Sequence, residues 1–257
     1  MPNLNTANAF LIDMDGVLIK GETPIKGAAD FIDRLRLSGK PFLLFTNNSK
    51  YSPESHSTRL SGLNLDIPAK NIFTAGMATA QFLVNQNIKG SAFVIGESGL
   101  FTPLQEMGYI LTKDKPDYVV LGELDTYDFN AICKGVELIK NGAIFIATNP
   151  DEILPGKFGI EPGCGAVAAM IEKASGKKPY FIGKPNPLMM RYALTSLKAR
   201  AQDSVIIGDR MDTDVIAGLE NGMMTYLVLS GVTKKEDINK FPYRPTKIFG
   251  SVAEIFP

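Results

Sequence analysis

The 257-residue sequence has few of the residues on which several common enzyme chemistries depend. It contains no tryptophan, one histidine (His56) and two cysteines (Cys133 and Cys164). A single histidine excludes His-rich binuclear hydrolases and HExxH zinc enzymes. Two cysteines make no disulfide framework, and neither is followed six positions later by arginine, as a Cys-x5-Arg phosphatase requires. We therefore expect any catalysis to depend on carboxylates, lysine, hydroxyl groups and a bound cation.

Net charge and long apolar runs are also absent. The 27 Lys and Arg residues balance 27 Asp and Glu, so no basic field is available for a nucleic acid polymer. No stretch approaches the roughly eighteen consecutive apolar residues of a membrane span, and residues 1–9 lack the features of a signal peptide. These features predict a cytoplasmic protein with no membrane or nucleic acid partner. The pattern leaves monomer and homodimer both open.

Short apolar runs alternate with amphipathic helical patterns, which is typical of an α/β domain with a parallel sheet. Strands are predicted at residues 9–12, 42–45, 92–95, 118–121, 144–147, 180–182, 205–208 and 225–229. We expect the first helix to begin with Pro24 in its first turn and the second to begin at Pro53, with His56 on its exposed face. Cys133 is predicted to pack in the core. Further helices are predicted near 166–176, 187–199 and 212–221.

Four polar segments each follow a predicted strand directly. They are residues 13–17 (DMDGV), 46–49 (TNNS), 183–185 (GKP) and 208–214 (GDRMDTD). In an open parallel sheet, ligands bind at the carboxyl ends of the strands. Four strands that end together would gather carboxylates, a hydroxyl group and an ammonium group around one point.

All four polar segments lie in the outer parts of the chain. This asymmetry predicts a doubly wound catalytic core from residues 1–76 and 180–257, with an α/β cap inserted at residues 77–179. The alternative is a single continuous doubly wound sheet.

The residue types in the four segments suit phosphoryl chemistry. The carboxylates of Asp13, Asp15, Asp209 and Asp214 would repel one another unless a hard cation neutralised them, and oxygen ligands select Mg²⁺ over zinc. A cation beside a lysine, a threonine hydroxyl and loop amides makes a site for a phosphoryl group. One carboxylate is able to attack phosphorus, and a second acid two residues later is able to protonate the leaving oxygen.

The four segments together resemble the motifs of the haloacid dehalogenase superfamily, and within it the NagD-like phosphatases. Residues 13–17 match the first motif, Thr46 the second, Lys184 the third, and Asp209 with Asp214 the fourth. The order and spacing of the four motifs make the resemblance specific, and it covers essentially the whole chain. It implies a Rossmann-like core with a mobile α/β cap between the second and third motifs.

The resemblance also implies a role for each motif residue. Asp13 would be the nucleophile and a Mg²⁺ ligand, and Asp15 would be the general acid and base and bind the ion through its carbonyl group. Asp209 would bind the metal, supported by Asp214 without direct coordination. The phosphate group would be held by Thr46, Asn47, Asn48 and Lys184.

The substrate implied is a small phosphate ester, for example a nucleoside monophosphate or a sugar phosphate. Two loops of the inserted region carry small or polar residues with proline or glycine, as expected of loops that approach a ligand. We expect Asn149 and Asp151 in the first of these loops to read the leaving group. Two alternatives to a phosphatase stay open here: a phosphotransferase or mutase that uses the same aspartyl phosphate, and a non-catalytic phosphate-binding protein.

Overall fold

The computed structural model describes residues 7–86, 89–156 and 159–255. Its strands are β1 Ala9–Ile12, β2 Ile19–Lys20, β3 Thr23–Pro24, β4 Phe42–Thr46, β5 Ile72–Thr74, β6 Ser91–Ile95, β7 Ile110–Leu111, β8 Tyr118–Leu121, β9 Ile144–Ala147, β10 Ile153–Gly156, β11 Gly159–Pro162, β12 Tyr180–Phe181, β13 Ser204–Gly208, β14 Met224–Val228 and β15 Lys247–Phe249. Its α-helices are α1 Ala28–Leu37, α2 Pro53–Ser61, α3 Ala75–Gln86, α4 Ser98–Glu106, α5 Phe129–Lys140, α6 Cys164–Ser175, α7 Pro187–Ser196 and α8 Ile216–Glu220.

The described chain divides into two compact units. The first contains the residues up to Thr46, then Pro53–Phe73, then the residues from Lys184 onward. The second contains Asn47–Ser52 and Thr74–Gly183, apart from the residues outside the described ranges. The longer piece of the second unit begins and ends within a few residues of the predicted insert, whereas Asn47–Ser52 was expected in the core.

The first unit contains a six-stranded sheet in the order β15-β14-β13-β1-β4-β5. Every pairing from β15 to β4 is parallel. Strands β1 (AFLI) and β13 (SVIIG) are buried along their whole length, as expected of parallel strands covered on both faces. The strand order changes direction at β1, which pairs with β4 on one side and with β13 on the other. A crevice for a ligand forms at such a point, at the carboxyl ends of the strands.

The second unit has a sheet of its own, in the order β12-β9-β8-β6-β7 with parallel pairings throughout. Strands β10 and β11 form a separate antiparallel hairpin. Helices α5 and α6 pack against this sheet, and their apolar residues share one cluster with Phe93, Val119 and Phe145. The prediction of a doubly wound parallel-sheet core with a second α/β region is confirmed.

Several helix ends follow the predicted signals. The Asn186 side chain accepts a hydrogen bond from the backbone amide of Leu188 at 2.9 Å, and Pro187 occupies the first position of α7. Helix α6 ends at Ser175 and is capped by Gly176, which has the left-handed conformation that glycine adopts without strain. In the described part of the chain, no helix has the length and apolarity required to cross a bilayer.

The prediction that Pro24 lies in the first turn of a helix is wrong. Pro24 lies in β3 and pairs with Ile19 across a short hairpin. The hairpin turns at Gly21, whose φ of 61° favours glycine, and α1 begins only at Ala28. The turn at Gly21 competes with the helix-start signal of Pro24 and places this proline in a strand.

Two predictions of side-chain exposure are also wrong. His56 is fully buried in α2, because the buried face of this helix passes through His56 and Leu60, four residues apart. Burial, with a smaller effect of the Arg59 charge, lowers the pKa of His56 to about 4. Cys133 is exposed, because the buried face of α5 passes through Ile132 and Gly135 instead.

Candidate active site

Two aspartates emerge from the centre of the six-stranded sheet. Asp13 follows β1 and Asp209 follows β13, the strand that pairs with β1 in parallel register. The Asp13 backbone amide donates to the Ile207 carbonyl at 2.8 Å and so extends the ladder by one residue. Asp13 is 8% exposed and Asp209 is 2% exposed. The strand pairing therefore fixes both carboxylates at the carboxyl edge of the sheet.

Lys184 joins three chain segments at this edge. Its Nζ donates to Asp13 Oδ1 at 2.7 Å, to Asp214 Oδ1 at 2.8 Å and to the Phe45 carbonyl oxygen at 3.2 Å. The side chain is buried. Burial alone would lower the pKa of Lys184, but Asp13 and Asp214 outweigh it and raise the pKa above its usual value. Lys184 is therefore protonated and bridges two carboxylates.

Carboxylate oxygens of Asp13, Asp209 and Asp214 all lie within 4.8 Å of one another. Burial raises the pKa of Asp13 well above its ordinary value; Asp214 and Asp209 add to the rise, and Lys184 opposes it. Burial and the neighbouring Asp214 raise the pKa of Asp209 to about 7. Among the described residues, three carboxyl groups of this cluster face the Lys184 ammonium group, so the cluster would carry surplus negative charge with all three ionised. This donor set fits a hard divalent cation.

The Asp209 carboxylate is enclosed by two glycines. A Cβ atom on Gly16 or on Gly231 would overlap this carboxylate, and the φ of 81° at Gly16 also favours glycine. The Val232 amide donates to Asp209 Oδ2 at 2.6 Å, and the Ser230 hydroxyl donates to the Gly16 carbonyl at 2.6 Å. Residues 230–232 belong to none of the four motifs, and their contact with Asp209 depends on the tertiary fold.

Asp214 is buried within a short π-helix, Met211–Val215, which precedes α8. The Gly208 backbone lies against the Asp214 side chain, in space that a Cβ atom would fill. Asp214 Oδ2 also accepts from the Arg210 backbone amide at 3.2 Å. One carboxylate oxygen of Asp214 lies within the acidic cluster, and its predicted role in supporting the metal site without direct coordination stays a prediction. Asp212, in the same segment, is not one of the three residues of the acidic cluster and forms a half-exposed ion pair with Arg210.

Asp15 lies two residues after Asp13 and is half-buried. Its backbone forms an isolated β-bridge with Ile19 of the β2–β3 hairpin. Burial raises the pKa of Asp15, and the charges of Arg59 and Lys184 oppose the rise. A raised pKa suits a carboxyl group that is to give up a proton. The assignment of Asp15 as the general acid stays a prediction.

The predicted phosphate-binding residues fall in two units. Thr46 is buried at the end of β4 in the first unit, whereas Asn47 and Asn48 belong to the second. The Asn47 side chain donates to Asp151 Oδ2 at 2.9 Å, and Asn48 Oδ1 accepts from the Lys50 backbone amide at 3.1 Å. Their role in holding phosphate stays a prediction.

The two residues predicted to read the leaving group are buried in the second unit. Asn149 is fully buried and Asp151 is 7% exposed. The Asn149 side chain donates to the Asn47 carbonyl and to Glu123 Oε1, both at 2.9 Å. Both side chains are therefore engaged in internal hydrogen bonds. Their assignment as specificity residues stays a prediction.

Comparison with known proteins identifies the family. The family model described as haloacid dehalogenase-like hydrolase matches residues 10–110, and a second, HAD-hydrolase-like model matches residues 181–255. The chain belongs to the haloacid dehalogenase-like hydrolases. These two matches contain all four motifs, from the strand before Asp13 to the turn that carries Asp214.

Three relatives specify the type of hydrolase. The dihydroxyacetone phosphatase of Corynebacterium glutamicum is 49% identical over 96% of this chain and 90% of its own. The ribonucleotide monophosphatase NagD of Escherichia coli is 40% identical over 97% of this chain and 98% of its own, and its structure superimposes with a TM-score of 0.91 over 96% of this chain and 98% of that chain. A glycerol phosphate phosphatase from Mycobacterium tuberculosis, solved in complex with magnesium, is 28% identical with a TM-score of 0.92, over 97% of this chain and 76% of that chain. This hydrolase is a NagD-like phosphatase.

Proposed function

We propose that this phosphatase hydrolyses small phosphate monoesters through an aspartyl phosphate formed on Asp13, with Mg²⁺ as its metal. The observation that carries the proposal is the Lys184 ammonium group, which lies 2.7 Å from Asp13 Oδ1 and 2.8 Å from Asp214 Oδ1 in a buried acidic cluster. A buried carboxylate held beside a fixed positive charge is positioned to attack an electron-poor phosphorus atom.

The acidic cluster fits the proposed cation. Asp13 and Asp209 would supply carboxylate oxygens, Asp15 would supply its backbone carbonyl, and Asp214 lies close enough to coordinate or to support them. The surplus negative charge of these carboxylates supports a divalent ion, because buried like charges are costly unless they are neutralised. When bound, Mg²⁺ would neutralise charge on the phosphoryl oxygens.

The reaction proceeds in two displacements. Asp13 attacks phosphorus, so a carboxylate oxygen–phosphorus bond forms while the bond from phosphorus to the leaving oxygen breaks. Asp15 gives its proton to the leaving oxygen, which departs as an alcohol. Asp15 then takes a proton from water as the water oxygen attacks phosphorus. The bond to Asp13 breaks and inorganic phosphate leaves, which restores both carboxyl groups.

Lys184 would stabilise the transferring phosphoryl group, and Thr46 would donate a hydrogen bond to it. The Asn47 and Asn48 backbone amides would add further donors. Each of these groups is neutral or positively charged, as the spread negative charge of the phosphoryl oxygens requires.

The proposed substrates are small phosphometabolites. The three relatives are named as phosphatases of dihydroxyacetone, ribonucleotide and glycerol phosphates, so dihydroxyacetone phosphate, ribonucleoside monophosphates and glycerol phosphate are the first substrates to test. The core motifs handle the metal and the phosphate group. We therefore assign the catalytic role to the first unit and the selection of the leaving group to the second. Cytoplasmic location and a monomeric or homodimeric state stay predictions from the sequence.

A release assay tests the function. Inorganic phosphate is measured from dihydroxyacetone phosphate, glycerol phosphate, ribonucleoside monophosphates and p-nitrophenyl phosphate, each with Mg²⁺ and with EDTA. We expect release that requires Mg²⁺ and favours one metabolite class. Absence of release from the whole panel in Mg²⁺ would contradict the proposal, and transfer of phosphate to a second substrate molecule would indicate a mutase.

A further inference from the structure

The side chains of a buried polar cluster in the second unit take no part in the two displacements described above. It contains the side chains of Glu123, Asn149 and Asp151 from loops after β8 and β9, together with Asn47 and Ser49. None of the five residues is more than 8% exposed. A buried polar group is costly unless it is hydrogen-bonded, so such a cluster is specified by its partners.

Glu123 and Ser49 form a reciprocal pair. Glu123 Oε2 accepts from the Ser49 backbone amide at 3.3 Å, and the Ser49 hydroxyl accepts from the Glu123 backbone amide at 3.0 Å. Glu123 Oε1 accepts from the Asn149 side chain at 2.9 Å. The carboxylate thus binds one backbone donor and one side-chain donor, each on a different oxygen.

Asn149 and Asp151 bind Asn47, which lies two residues before Ser49. The Asn149 side chain donates to the Asn47 carbonyl at 2.9 Å, and Asp151 Oδ2 accepts from the Asn47 side chain at 2.9 Å. The Asn149 oxygen accepts from the Asp151 amide at 3.1 Å, which fixes the relative orientation of the two side chains.

The start of α4 holds the other end of the segment. The Gly99 amide donates to the Lys50 carbonyl at 3.0 Å, and a Cβ atom at Gly99 would overlap the carbonyl oxygens of Ser49 and Tyr51. Groups of the second unit therefore hold this backbone at Asn47, Ser49 and Lys50, and the Gly99 backbone packs closely against it at Tyr51.

We propose that Glu123, Asn149 and Asp151 are positioning residues for phosphate binding. They fix the backbone of Asn47 and Ser49, and the peptide bond from Thr46 to Asn47 transmits that constraint to the second motif. The inference rests on the proposed phosphate-binding role of Thr46 and Asn47. It differs from a role in reading the leaving group, because a fixed phosphate loop matters equally for every phosphate ester.

The test uses the isosteric variant Glu123→Gln in the full-length protein. Glutamine keeps one acceptor oxygen but places an NH₂ group against a donor, either the Ser49 amide or the Asn149 side chain. We expect the inhibition constant of inorganic phosphate to rise at least tenfold. We also expect kcat/KM to fall by one common factor for p-nitrophenyl phosphate and dihydroxyacetone phosphate.

Asp117→Asn is the matched control. Asp117 is also a carboxylate of the second unit that accepts from a backbone amide, that of Ser91, at 2.7 Å. It is exposed and lies outside the cluster. Asp151→Asn and Asp151→Ala form a second pair. The asparagine keeps an acceptor for the Asn47 side chain and should retain phosphate binding, whereas alanine should not.

Hydrogen exchange of the peptide that covers residues 47–52 separates this inference from the proposed function. Faster exchange in Glu123→Gln together with weaker phosphate inhibition supports the inference. Unchanged exchange overturns it, as does faster exchange with unchanged phosphate inhibition. A substrate-dependent loss in Asn149→Ala also overturns it and favours a specificity role. Failure of the wild-type protein to release phosphate instead contradicts the proposed function, whatever the exchange result.

Discussion

Each of the two units contains a buried polar cluster, and the carboxylate charges of the two clusters are compensated by different groups. In the first unit, the carboxylates of Asp13, Asp209 and Asp214 surround the single ammonium group of Lys184. In the second, carboxylates accept hydrogen bonds from amide groups, as Glu123 does from Ser49 and Asn149.

The difference separates chemistry from architecture. Surplus like charge raises pKa values and leaves a site ready for a cation and an anionic substrate. Carboxylates that accept from amides order a segment of chain, since each donor specifies a direction.

Asp13→Asn should abolish turnover and leave the fold intact. An amide has nearly the volume of a carboxylate but does not attack phosphorus, so we expect a loss of at least about 100-fold and up to about 10⁴-fold in kcat. The control is Asp212→Asn, which removes a half-exposed acid paired with Arg210 in the same region. A rate above about one hundredth of wild type in Asp13→Asn would exclude this residue as the nucleophile.

Asp15→Asn should affect substrates according to their leaving groups. A sugar or nucleoside oxygen needs a proton as it departs, whereas p-nitrophenolate leaves with little assistance. We expect kcat/KM to fall about 100-fold more for the metabolite than for p-nitrophenyl phosphate. An equal loss on both substrates would remove Asp15 from the acid role.

The buried histidine makes stability fall in mild acid. His56 has a pKa of about 4 when folded and about 6.5 when unfolded, so the unfolded chain takes up the proton first. The free energy of unfolding should therefore decline from pH 6.5 to pH 4, by up to about 3 kcal/mol at about 1.4 kcal/mol per pKa unit.

Comparison of His56→Gln with the wild-type protein isolates this contribution. Urea unfolding at several pH values should give a smaller decline for the variant, since glutamine has no proton to take up in this range. Parallel curves for the two proteins would show that His56 titrates alike in both states.

Metal removal should lower the stability of the wild-type protein far more than that of Asp209→Asn. Mg²⁺ at about 100 times its dissociation constant should stabilise the wild type by about 2.7 kcal/mol. Asp209→Asn should gain much less from the metal, yet it should be at least as stable as wild type in EDTA because one repelling carboxylate is neutralised. Thermal unfolding with and without Mg²⁺ measures both effects. A variant less stable than wild type in EDTA would contradict charge surplus as the character of this cluster.

The sequence was sufficient to recognise the four polar segments and to predict most strands of the two sheets. Apolar runs that end in Asp13, Thr46 or Asp209 mark the edge at which parallel strands place ligands, so local pattern and topology agree. The helix start at Asn186 and Pro187 was equally readable, because capping depends on neighbours in sequence.

Contacts between distant segments were not readable in the same way. His56 was expected outside, although a face shared with Leu60 makes it buried. The enclosure of Asp209 by Gly16 and Gly231 joins residues more than two hundred positions apart, and the partners of Glu123 lie in two other loops. Such contacts depend on tertiary packing, which single-sequence periodicity does not encode.

The membership of Asn47–Ser52 in the second unit has a consequence for modular engineering of this family. The chain passes between the units four times, after Thr46, Ser52, Phe73 and Gly183, instead of twice as a simple insertion would. A cap transplanted from a relative at the junctions after Phe73 and Gly183 alone would lack its own counterpart of the six residues Asn47–Ser52. It would have to accept the host's Asn47–Ser52 as a substitute. An exchangeable cap therefore requires that Asn47–Ser52 and the loops bearing Glu123 and Asn149 be transferred together from the same protein.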